Sequence, residues 1–288
     1  MSGPLHFAAP TALEYFATLV VEDASLPLLE AALSLAQDEY PQLDTQDVLA
    51  RIDTLAQRLR QRIPADAVPM QRLRFLNRFF YQELGFAGNV NDYNDPANSY
   101  LNHVLETRRG IPITLAVLYI ELAGQIGLSA SGVSFPGHFL VKMRMSRGEV
   151  VIDPFTGHSL SREELDERLV PYKRLRGLPA DFETPLELFL QTAPAREVLA
   201  RMLRNLKQIH LGRGDAARLL AVQERLVVLL PRVWEEQRDR GLAHADLGNA
   251  QRALADLTTY LEKSPDATDR GAVEQRLLRL RGGGSRLH

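Results

Sequence analysis

The chain has 288 residues, 45% hydrophobic and 24% charged, which leaves room for about two domains with real cores. It has no cysteine, and this excludes disulfides, thiolate metal sites, iron–sulfur clusters and any thiol nucleophile. The net charge of −2 conceals a gradient, from 4 Lys/Arg against 10 Asp/Glu in residues 1–70 to 17 against 12 in residues 191–288. The late basic residues are interspersed and lack aromatic partners, so nucleic-acid binding is not expected.

The first ten residues lack an export signal, and the apolar stretch Ile111 to Ala123 is too short to cross a bilayer. The reading is therefore a cytoplasmic protein without a membrane segment. The first 65 residues read as helices. One stripe is Leu26, Leu29, Leu33 and Ala36; a second is Val48, Ile52, Leu55, Ala56 and Leu59, with caps offered at Asp44 and Thr45. A third helix is predicted from about Pro69 to Leu84, with Leu73, Leu76, Phe80 and Leu84 inward. Gly85 to Pro96 is rich in Gly, Asn and Asp and reads as a loop. Asp95-Pro96 is a helix start, with Asp as N-cap and Pro in the first turn, and that helix runs to about Glu106. Arg108-Arg109-Gly110 breaks it. The next helix opens at Ile111-Pro112 and reaches Gln125, with Gly127 beyond its end.

Short alternating segments follow. Ser131 to Phe135 reads as a strand, and His138 to Met145 and Glu149 to Asp153 as a hairpin around Ser146-Arg147-Gly148. From Thr184 the chain is helical again and repeats. His210 and His244, Ala216 and Ala250, Leu220 and Leu254, and Pro231 and Pro265 are each 34 residues apart, the period of the tetratricopeptide helix pair. Gly241 and Ala253 fall at the small positions of that pattern. About two degenerate copies are present, too few for a free solenoid. Gly282-Gly283-Gly284 reads as a terminating, flexible tail.

Three features stand in order between Arg108 and Gly157: a small-residue helix start, a histidine at the head of a hairpin, and an aspartate at its return. This order resembles the transglutaminase-like branch of the papain-like fold. Its motif, Gly-x-Cys-x-x-x-Ala, is met by Gly110 and Ala116, while His138-Phe139 and Asp153-Pro154 fall where the family has its histidine and aspartate. The position of the cysteine is Pro112. Proline supplies neither a nucleophile nor the backbone N–H that the family uses on the oxyanion.

Tyr93-Asn94-Asp95-Pro96, Asn98-Ser99-Tyr100-Leu101, Arg109-Gly110-Ile111-Pro112-Ile113, Phe135-Pro136-Gly137-His138-Phe139 and Ile152-Asp153-Pro154-Phe155 are together similar to the bacterial SirB-type proteins. That resemblance implies an α+β fold: a helical lead-in and transglutaminase-like domain over residues 1–182, tetratricopeptide-like repeats over 183–282, and a tail at 283–288. It implies a cleft that keeps His138 and Asp153 without the nucleophile. Asn98, Ser99, Arg109 and Thr114 are further candidates to line it.

Each candidate also has a plainer role. Asn98 and Ser99 suit the backbone of a first helical turn. Arg108 and Arg109 suit either a helix dipole or an anion. Thr114, the only hydroxyl near Pro112, points about 200° away around the helix. His138, Asp153 and His158 form a conceivable two-histidine, one-carboxylate metal set, but no metal or other cofactor is assigned. The leading expectation is a non-catalytic binder of a peptide or protein partner. The alternative is a hydrolase in which His138 and Asp153 activate water.

Overall fold

The computed structural model describes residues 10–179 and 185–283. Contacts divide the chain into two compact units, one of residues 22–202 and one of residues 1–21 with 203–288. The division drawn from sequence, at 182/183, falls among residues 180–184, outside the described residues. Of the residues read there as part of the lead-in, residues 10–21 group by contacts with those after 202.

Helix α1 (Ala12–Leu19) opens on a capping box between Thr11 and Glu14. In the unit of residues 22–202, α2 (Leu28–Ser34) is followed by α3 (Thr45–Arg60). Asp44 caps α3 by accepting from the N–H groups of Gln46 and Asp47. Helix α3 buries the predicted stripe from Val48 to Leu59. Helix α4 (Pro69–Asn77) does not stay regular to Leu84. It widens into a π turn over Arg78–Glu83, closed by Leu84 N–H on the Phe79 carbonyl. The added residue puts Phe79 and Phe80 both in the core, leaves Leu84 half-buried, and aims the Tyr81 hydroxyl at the Pro154 carbonyl.

The loop after this turn contains a short strand, β1 (Ala87–Gly88), which sequence reading missed. Next come a 3-10 turn (Pro96–Ser99) and α5 (Leu101–Thr107). The single helix predicted from Asp95 to Glu106 is split at Tyr100, whose backbone is extended, although Asp95 still caps Ala97 N–H. Arg108 ends α5 in the left-handed region (φ 61°), and β2 (Arg109–Gly110) pairs in parallel with β1. Helix α6 (Pro112–Gln125) is buried continuously from Pro112 to Tyr119, consistent with its apolar character all round.

Strands β3 (Ser129–Val133), β4 (Leu140–Arg144), β5 (Glu149–Ile152) and β6 (Ser159–Leu160) form one antiparallel sheet in chain order. Helix α6 packs on one face, where Ile120 meets the strand at Gly132. The other face carries Val133, Leu140 and Val151. These join Leu165 and Leu169 of α7 (Arg162–Leu175) and Leu186 of α8 (Leu186–Phe189) in one core. Sequence reading did not predict β6 or α7: a two-residue strand has no period, and the charge density of α7 hides its two buried leucines.

Helix α9 (Ala195–Arg213) contains the boundary between the units. In the second unit, α10 (Ala216–Leu229), α11 (Trp234–Asp246), α12 (Ala250–Lys263) and α13 (Arg270–Gly283) follow, and α1 packs on α10. The 34-residue period is written in the backbone. Gly214 and Gly248 both have positive φ, and Asp215 N–H and Asn249 N–H close onto the carbonyls of His210 and His244. Gly241 has the predicted close approach: a Cβ there would lie 2.9 Å from Leu257 Cδ2. Ala253 is fully buried. Helix α13 runs through Gly283, and the predicted tail beyond it lies outside the described residues.

Candidate functional site

His138 and Asp153 are fixed by two turns at the same end of the hairpin. The β4–β5 register pairs Val141 with Ile152, so both residues lie just outside the paired strands. Gly137, at φ 71°, lets the chain fold back so that His138 N–H reaches the Phe135 carbonyl. Asp153 ends β5 in an Asx turn: its Oδ1 accepts from Phe155 N–H at 2.9 Å, and its own N–H donates to the His158 carbonyl. His138 thus sits in the turn before β4 rather than on the strand itself.

The two side chains meet. His138 Nε2 is 2.9 Å from Asp153 Oδ1, and Arg168 on α7 donates to Asp153 Oδ2 at 2.9 Å. The carboxylate is 2% exposed. Burial pushes its pKa up, but the hydrogen bond and charge of His138, the Phe155 N–H and Arg168 outweigh this and hold it at about 2. An ionised Asp153 accepts the Nε2 proton, which leaves Nδ1 of the neutral ring as the nitrogen with a lone pair. No hydrogen bond to Nδ1 is formed among the described residues, and the imidazole is 23% exposed. The aspartate thus orients the imidazole and leaves its second nitrogen open.

The helix-start residues connect to the Asp153 turn through β1. Gly110 is the strand partner of Gly88, and Gly88 N–H donates to the Phe155 carbonyl at 3.0 Å. A Cβ on Gly88 would lie 2.2 Å from the Phe155 ring, so β1 fits between the start of α6 and the Asp153 turn only as glycine. Pro112 occupies the first position of α6.

Thr114 is fully buried and committed. Its hydroxyl donates toward the Asn98 and Ile111 carbonyls (2.9 and 3.0 Å) and accepts from Ile111 N–H at 3.2 Å. Asn98 is 1% exposed and braces the preceding loop: its amide donates to the Asp92 carbonyl at 2.7 Å and accepts from Asn89. Ser99 is buried beside it. Arg109 is exposed and spends its guanidinium on the Gly85 and Arg108 carbonyls. The structure thus gathers Asn98 and Thr114 into the scaffold of the site and leaves Arg109 outside it. Among the described residues no group of three or more His, Asp or Glu side chains is arranged to hold a metal, and His158 meets Asp153 only through its carbonyl.

Three residues missed as functional candidates complete the site. Arg168 grips Asp153. Tyr93 packs its ring against Phe155, with centroids 6.1 Å apart. Arg201 of α9 donates to the His138 carbonyl at 2.8 Å and covers the Phe139 ring with its guanidinium carbon 5.5 Å from the centroid. The one faint sequence cue is that Arg201 interrupts the apolar run from Val198 to Leu203, which does not by itself point to a site.

A helix start, a hairpin histidine and an oriented aspartate on an antiparallel sheet are the elements of a transglutaminase-like protein. The model of the transglutaminase-like superfamily matches residues 46–204, and a tetratricopeptide repeat model matches residues 206–278. The chain is 40% identical over 261 residues to a UPF0162 protein of Xylella fastidiosa, covering 90% of this chain and 92% of the relative. It is 30% identical over 250 residues to a UPF0162 protein of Pseudomonas aeruginosa (87% and 89%), and 28% identical over 242 residues to protein SirB1 of Salmonella typhimurium (83% and 78%). The chain belongs to this UPF0162 and SirB1 family of transglutaminase-like proteins with tetratricopeptide repeats. No solved structure matches it.

Proposed function

We propose that this protein is a non-catalytic, transglutaminase-like binding protein that holds a peptide or protein partner at the His138–Asp153 cleft. The observation that carries this reading is the commitment of Thr114. With proline at position 112 and no cysteine in the chain, that hydroxyl is the only candidate nucleophile in the first turn of α6, and its proton and one of its lone pairs are engaged inside the scaffold. The tetratricopeptide region supports a protein partner, since such repeats bind extended or helical segments. No helix among the described residues is long and apolar enough to cross a membrane, and the proposed setting is the cytoplasm.

Hydrolysis by a water activated at His138 is the second reading, favoured by the open Nδ1 and the ionised Asp153. Turnover of amide and ester panels by the full chain separates the two. The binding reading expects none that disappears in His138→Ala, and hydrolysis lost with that substitution overturns it. A complementary test restores what proline removed. Pro112→Cys regains both a thiol and a backbone N–H, and alkylation at neutral pH should then be faster than in the Pro112→Cys, His138→Ala double variant. Equal alkylation rates would show that the dyad does not face that position.

A further inference from the structure

Arg201 is a partly buried cation that the scaffold does not neutralise. Its guanidinium donates only to carbonyl oxygens, to His138 at 2.8 Å and to Phe135 at 3.4 Å, and stacks on Phe139. Among the described residues no carboxylate lies within ion-pair distance. Glu197, one turn earlier on α9, is exposed and acts on it only through its charge. Burial lowers the pKa of the guanidinium, the mark of an incompletely compensated charge.

The arginine faces a ring of site residues. Its charge is felt at the Tyr93 phenol, Tyr93 lies against Phe155, and the Phe155 N–H caps the aspartate that orients His138. Arg168, the other cation present, is already paired with Asp153. One positive charge without a carboxylate partner therefore remains at the His138 backbone, and five planar donors, of which the carbonyls use two, can still form a fork.

We propose that Arg201 is the anchor of a carboxylate-binding subsite, so that the segment held at the dyad carries an acidic side chain or a free chain terminus beside the residue that meets His138. A single cation suits a monoanion. A phosphate dianion would leave one of its charges unmatched by Arg201, since Arg168 is already engaged with Asp153. The planar carboxylate also matches the guanidinium fork. This inference rests on the reading of the dyad as a ligand cleft.

The test uses the full chain and three probes: acetyl-Gly-Glu-amide, acetyl-Gly-Gln-amide, and acetyl-Gly-Gln with a free terminal carboxylate. Binding is read by NMR from the imidazole signal of His138, assigned by its loss in His138→Ala. At least one acidic probe should bind about tenfold more tightly than the neutral amide, and which one does so distinguishes side chain from terminus. In Arg201→Gln that preference should fall to about one, and Arg201→Lys should keep part of it. A purely bracing arginine would weaken all three probes alike and leave their ratio unchanged. Equal binding of acid and amide by the wild-type chain, which needs no variant to fold, overturns the carboxylate subsite while leaving the cleft standing. No response of His138 to any probe overturns both.

Discussion

The two units use buried charge in opposite ways. In the repeat unit, ion pairs fasten one helix to the next. Glu236 of α11 receives Arg204 and Lys207 of α9, and Asp256 of α12 receives both ends of the Arg240 fork at 2.6 and 2.7 Å. Each carboxylate is spent on its neighbour. In the other unit, Asp153 gathers His138, Arg168 and a backbone N–H at one point, yet one imidazole nitrogen remains unused. Charge distributed along a stack builds a scaffold, whereas charge converging with a remainder builds a site.

Substitutions probe this contrast directly. Asp256→Ala should have the largest effect, about 3 kcal/mol by denaturant midpoint, because it strands a half-buried Arg240. Gly88→Ala should follow at about 2–3 kcal/mol, since its Cβ meets the Phe155 ring at 2.2 Å beside β1. Gly241→Ala in the repeats should cost less, because there the nearest atom is a Leu257 methyl group that can shift.

The acid limb is expected next. Asp153 is held below its ordinary value when folded, so its stabilisation is complete above pH about 4 and is lost as pH falls through about 2. The wild-type chain should lose about 2 kcal/mol over that window, and Asp153→Asn should lack this component of the pH dependence. Thr114→Val should have the smallest effect, about 1–2 kcal/mol, from the buried Ile111 N–H and Asn98 carbonyl left short of a partner. Under the binding reading it should leave probe affinity at His138 unchanged. A loss of affinity larger than the loss of stability would place the hydroxyl in the ligand site and break the contrast between scaffold and cleft.

The same contrast decides what the sequence makes legible. The repeats announce themselves by period: His210 and His244, or Ala216 and Ala250, need only counting. The dyad was legible through the order of its motifs, because the hairpin that joins His138 to Asp153 is local in the chain. Arg168 and Arg201 were not. They reach the site from helices α7 and α9, across separations that no spacing rule covers, and each first looks like an ordinary charge on a helix. The π turn was hidden for another reason. It places Phe80 against Tyr119 and Tyr81 against Gly157, partners distant in sequence that a local stripe cannot encode.

Under the binding reading, proline at the head of α6 also sets the clock of any complex formed there. A carbonyl docked at that helix end would meet one N–H fewer and no sulfur, so no thiol would attack its bond to nitrogen. The held segment would then leave as it arrived. Residence time, set by how well the proposed subsite grips its anion, would replace turnover as the quantity that selection can adjust.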